Sequence, residues 1–176
     1  KRKLNMNVKS FSHQVIYFCI GLLIIFFQIL PLQTTPQTWS GPNVLLVFFA
    51  AIVTKRPEFT SSFLIAFIFL IEDFFLMRPP GLMSSLTVLG LFFLKRKFQN
   101  QEVNSFVFGW SSVATYLTLI LLIYYFISVL FFIPSAGIRL TLIEVIVTLA
   151  LYPFFSVLIG SFDKFESADN EKIILR

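Results

Sequence analysis

Five ionisable residues sit where few would be expected. Glu72 and Asp73 stand side by side in the apolar run "FLIEDFFLMRPPG", with Arg78 five positions beyond Asp73. Arg139 and Glu144 flank the start of a later apolar run, "IRLTLIEVIVTLALYPFF". Carboxylates and guanidinium groups in apolar segments can pair with each other, bind a partner's charge or pass protons. A proton relay across a membrane needs ionisable groups along its whole depth, and these five gather toward one end of their runs. A partner-binding or structural charge cluster is the reading that fits this placement. The one histidine, His13, and the one cysteine, Cys19, cannot supply the usual nitrogen and sulfur ligands of a metal centre. A serine nucleophile needs a nearby base, and an aspartyl intramembrane protease needs two facing aspartates. Neither pattern is present, so the sequence reads as non-enzymatic and suggests no cofactor.

The elements that carry these residues are apolar. The chain has 176 residues, 57% of them hydrophobic, 18% aromatic and 13% charged. A soluble domain of this size leaves roughly a third of its surface in water and carries about 25% charged residues. An all-α integral membrane protein follows. Although the formal charge is +5, its basic residues lie in short clusters between apolar runs. That is the mark of membrane topology rather than nucleic-acid binding.

Runs at Gln14–Leu30, Pro42–Thr54, Phe59–Met77, Leu82–Leu94, Phe106–Ile133 and Leu140–Phe162 predict six transmembrane helices. The second and fourth have only 13 residues, short of the roughly 20 that a bilayer core requires. Four or five spans, with half-depth elements, is therefore the competing count. Charge placement favours six. Twelve Lys and Arg residues then fall on one side and only Arg78 and Arg139 on the other, which places both termini in the cytoplasm. Residues 1–13 form a cytoplasmic N-terminal segment, 14–162 the bundle and 163–176 a flexible cytoplasmic tail. The first run lacks a small-residue cleavage site and reads as a retained helix. Lys95, Arg96 and Lys97 are cytoplasmic basic contacts for anionic lipid or a partner. Pro153 should kink the last helix. Ser111, Thr115, Thr118 and Tyr125 share a stripe in the fifth helix that could hydrogen-bond between helices.

Helical angles give two further expectations. Asp73 and Arg78, like Arg139 and Glu144, lie about 140° apart on their helices and do not share a face. Cross-helix pairing of Asp73 with Arg139, or of Glu144 with Arg78, is expected. Neighbouring carboxylates point about 100° apart. Asp73 is expected to face the interior and Glu72 to lie nearer lipid or a partner.

Several motifs occur in a familiar order. "FFQILP", with Gln28 and Pro31, is followed by "GPNVLLVFF", with Pro42 and Asn43. Then come Asp73 with Gly81 eight positions on, and "LYPFF" with Pro153. Together they resemble the rod shape-determining protein MreD family over about residues 14 to 160. The chain departs from that pattern at Phe69 and Met77, where family members often have glycine. The resemblance implies a non-catalytic scaffold of the bacterial elongation complex in the inner membrane. It implies binding to MreC and, indirectly, work with MreB, RodZ, RodA and a penicillin-binding transpeptidase in lateral peptidoglycan synthesis and rod shape. It also implies a fold similar to the six-helix substrate-binding subunits of energy-coupling-factor transporters. A substrate-binding membrane subunit of a vitamin-type transporter is thus the alternative function.

Topology is directly testable. With Cys19 replaced, single cysteines beside Arg78 should react with an impermeant maleimide from outside the cell, and cysteines among Lys95–Lys97 should not. The reverse pattern would overturn six spans with cytoplasmic termini.

Overall fold

A computed structural model describes residues 2–30, 41–57, 60–100, 106–133 and 137–174, with side chains described over 12–30, 41–57, 60–99, 109–133 and 137–161. The described residues form six helices: α1 (Arg2–Ile29), α2 (Val44–Lys55), α3 (Ser62–Phe75), α4 (Leu82–Asn100), α5 (Phe106–Leu130) and α6 (Ile138–Ile174). Among the described residues, three stretches are long and apolar enough to cross a membrane: Ser12–Ile29, Gly109–Leu130 and Ile138–Ser161. Pro31 lies outside the described residues.

The helices differ from the apolar runs for local reasons. The predicted third run contracts from Phe59–Met77 to 14 residues. At its start the Ser61 side chain accepts from the Phe63 N–H at 3.3 Å, and at its end Met77 turns left-handed, with φ 52°. Met77 and Phe132 close α3 and α5 in the same way. The Arg78 N–H donates to the Asp73 carbonyl at 3.0 Å and the Ile133 N–H to the Ser128 carbonyl at 2.9 Å, the six-to-one bonds of a Schellman ending. Glycine usually takes this position, and a side chain there costs about 1 kcal/mol or more. α4 runs on to Asn100, through its basic residues. α6 continues to Ile174, so the segment expected to be a flexible tail is helical there; residues 161–174 contain neither proline nor glycine to stop it. The helix also continues through Pro153.

α2 is the buried rod of the fold. Leu45 through Val53 are buried without interruption, and α2 packs against α1, α4, α5 and α6. A helix that is apolar all round can be covered on all sides. Hydrogen bonds tie it to α6 at both ends. The Asn43 N–H donates to Thr148 Oγ1 at 3.1 Å, and the Thr54 and Tyr152 hydroxyls meet at 3.1 Å. Thr148 lies ten residues into α6, about 15 Å along it, so α2 begins well inside the bundle.

α3 lies between α1 and α4, and α5 joins α4 to α6. α4 and α5 approach closely at Gly90, where an added Cβ would overlap the Ile120 side chain, its Cγ1 at 2.7 Å. Outward faces carry large exposed apolar side chains, including Phe63, Phe74, Phe126, Ile146 and Phe154. Those faces suit lipid. In α5 the predicted Ser111 and Thr115 stripe is exposed, and Thr115 bonds back to the Ser111 carbonyl at 2.9 Å. The buried polar residues of α5 are instead Ser112 and Ser128.

Gly90→Val should separate α4 from α5 and destabilise the protein by about 1–3 kcal/mol. Gly160→Val, with nothing within 4 Å of its added Cβ, should change stability by about 0.5 kcal/mol or less. Unfolding transitions of the two variants in one detergent provide the comparison.

Candidate functional site: a buried carboxylate cluster

The buried sector of α3 contains Ile65, Ile68, Phe69, Glu72 and Asp73. Their spacings of three, one, three and one describe a wide helical stripe. It is covered from two sides. Ile68 lies against Gly21 of α1, and Asp73 reaches α4. The exposed face carries Phe63, Phe67, Leu70 and Phe74. Asp73 is inside, as expected, at 0% exposure. Glu72 corrects the sequence reading: it is 1% exposed rather than turned toward lipid or a partner. A 100° offset would expose it only if one neighbour covered α3, and two do.

The partner of Asp73 also differs from expectation. Its Oδ2 accepts from the Gly81 N–H at 3.1 Å and from the Ser84 N–H at 3.2 Å. These are the two donors that a capping box satisfies with two side chains at the start of a helix. Gly81 has no side chain to cap α4, so a carboxylate from α3 does the work. The carboxyl also stands at the positive end of the α4 dipole. Gly81 itself has φ 91°, a conformation that disfavours other residues. Arg139, the expected partner of Asp73, is exposed in the first turn of α6.

Arg78 places its guanidinium carbon 5.8 Å from the centre of the Tyr124 ring, a cation–π contact with α5. Its charge acts on Glu72 and Asp73. Glu144 acts on Glu72 and on Tyr124. Glu72, Asp73 and Arg78 thus share the end of α3, Glu144 lies within electrostatic range of Glu72, and Arg139 stays at the surface. Tyr124, Ser84 and Thr87 are additions that the sequence reading did not name. A "TLILLIYYF" segment offers no signal that marks one tyrosine, and a backbone N–H leaves no trace in sequence. Among the described residues, no three His, Cys, Asp or Glu side chains converge as a metal centre.

The resemblance residues are placed as follows. The Asn43 Oδ1 accepts from the Leu46 N–H at 3.1 Å and caps α2. Pro42 precedes it, half-buried, and its carbonyl accepts from Val44 at 3.0 Å. Gln28 is half-buried, with its Oε1 unpartnered. At the other end of the bundle, Lys95 Nζ donates to the Thr60 carbonyl at 2.6 Å and braces the α2–α3 connection. Arg96 is exposed and Lys97 half-buried.

Asp73→Asn retains an acceptor for the Gly81 and Ser84 donors, whereas Asp73→Leu leaves both bare. The leucine variant should lose about 1–2 kcal/mol more stability than the asparagine variant, measured by unfolding in detergent.

Comparison with protein-family models, with curated proteins and with solved structures finds no match to this chain.

Proposed function

We propose that this chain is an MreD-like scaffold of the bacterial elongation complex. In this reading it crosses the inner membrane six times, with both termini in the cytoplasm, and the Arg78 turn faces the periplasm. It binds MreC and through it supports the work of MreB, RodZ, RodA and a penicillin-binding transpeptidase on lateral peptidoglycan. It performs no catalysis and needs no cofactor.

One observation carries the reading. Three residues of the resemblance, Asn43, Asp73 and Gly81, are the residues that start two helices of the bundle. Residues with that duty hold a shape, and a shape is what a scaffold offers its partners. The exposed apolar faces of α3 and α5 then serve lipid and the single membrane-crossing helix of MreC. In this reading the Arg78 turn meets the portion of MreC outside the membrane.

Purification in mild detergent followed by mass spectrometry tests this. MreC and cell-wall synthases should co-purify with the intact chain, and Asp73→Leu should reduce MreC recovery several-fold while cells lose rod shape. Recovery of an ATPase module together with a bound vitamin would establish the transporter subunit instead.

A further inference from the structure

The apolar depth of the bundle is not the same on all sides. The long stretches of α1, α5 and α6 run for 18, 22 and 24 residues, about 27 to 36 Å of helix. α3 and α4 are tied to each other at both ends. At one end Asp73 accepts from the Gly81 and Ser84 N–H groups, and at the other Lys95 Nζ donates to the Thr60 carbonyl. The two helices therefore share one depth. α3 has 14 residues, about 21 Å, and α4 rises about 17 Å from Ser84 to Lys95.

Their outward face is apolar only over that depth. It carries Phe63, Phe67, Leu70 and Phe74 on α3, with Leu89 and Phe93 on α4. Exposed Ser85 precedes the α4 portion and exposed Arg96 follows it. A bilayer core is about 30 Å thick, so the face falls short by about 10 Å. Tilting would shorten it further. Arg96 can reach outward to headgroups and recover part of the difference, whereas Lys95 is turned to the Thr60 carbonyl. A face shorter than the bilayer is met either by thinning the lipid or by covering the face with protein. The residues here favour lipid. Helix contacts in membranes use small residues, or polar groups that bond across. This face presents phenylalanines and leucines, and the Ser85 hydroxyl donates to the Leu82 carbonyl of its own helix at 3.0 Å.

We propose that the α3–α4 face binds phospholipid in a locally thinned bilayer. Headgroups are drawn in toward Arg96 at one end and toward the exposed Met77 turn at the other. The thinning is one-sided, because the longer α1 and α5 flank α3 and α4. This requires that the chain cross a membrane and is independent of MreC.

Nitroxide labels on single cysteines provide the test, in the full chain with Cys19 replaced and reconstituted in dioleoyl phosphatidylcholine. Collision with oxygen reports hydrocarbon, and collision with a polar nickel chelate reports the headgroup level. Labels at Met77 and Arg96 should both meet the chelate several-fold more often than labels at Leu70 and Leu89, which should favour oxygen. Labels at Leu142 and Phe154 of α6, about 18 Å apart along the helix, should both favour oxygen. A Met77 or Arg96 label that favours oxygen would reveal a bilayer of full thickness and overturn the proposal. Exclusion of both reagents at Leu70 and Leu89 would overturn it too, since protein would then cover the face. Chelate access at Leu142 and Phe154 would overturn the membrane reading itself, and the proposal with it.

Discussion

A helix that starts in an apolar environment exposes N–H groups that water cannot reach, and each one left bare costs several kcal/mol. α4 starts in this condition. Its first residues follow "RPPG", and the residue at the capping position is a glycine with no side chain to offer. Asp73 of α3 supplies the missing acceptor for both Gly81 and Ser84. That single carboxylate sets the spacing of α3 and α4, and other contacts follow from it. α4 then meets α5 at Gly90, and Arg78 in the same turn reaches the Tyr124 ring. Asn43 does the equivalent work for α2, with its own N–H carried by Thr148 of α6.

The relation between helix length and membrane thickness applies to helices whose faces touch lipid. α2 has 12 residues, about 18 Å of helix, and would be too short to stand alone in a bilayer. It has no need to do so, because four neighbouring helices enclose it. The hydroxyl and amide contacts at its ends replace the interfacial anchors of a lipid-facing helix. In lipid, apolar side chains gain little by leaving one apolar medium for another, so packing and such polar contacts bear more of the stability. The close approach at Gly90 belongs to the same economy of contact.

Glu72 is different from its neighbour. Asp73 has an evident duty in the fold, whereas Glu72 is buried with an unpartnered oxygen and caps nothing. An acidic side chain in such a place adds a polar group to the interior without adding a helix start. Glu72 stands within electrostatic reach of Arg78, Asp73 and Glu144. The two adjacent acidic residues thus divide between architecture and electrostatics.

Much of the fold could be read along the chain. Six apolar runs separated by basic clusters, prolines and glycines correspond in order to six helices, because helix formation and helix stops are local events. The inward direction of Asp73 was anticipated and is what the structure has, and the common depth of Glu72, Asp73, Arg78 and Glu144 was legible from their places in the apolar runs. The burial of Glu72 was not legible. It required knowing that α1 and α4 cover two sides of α3, and periodicity describes one helix at a time. The partner of Asp73 was hidden for a related reason: it is backbone, and every residue has the same N–H. Sequence alone determined that the chain is apolar, helical and charged at chosen points, since composition and periodicity depend on the residues themselves. Only the tertiary structure decided that α2 is a buried rod, that Asp73 caps a neighbouring helix and that Arg139 stays outside, because each depends on which surfaces meet across long stretches of chain.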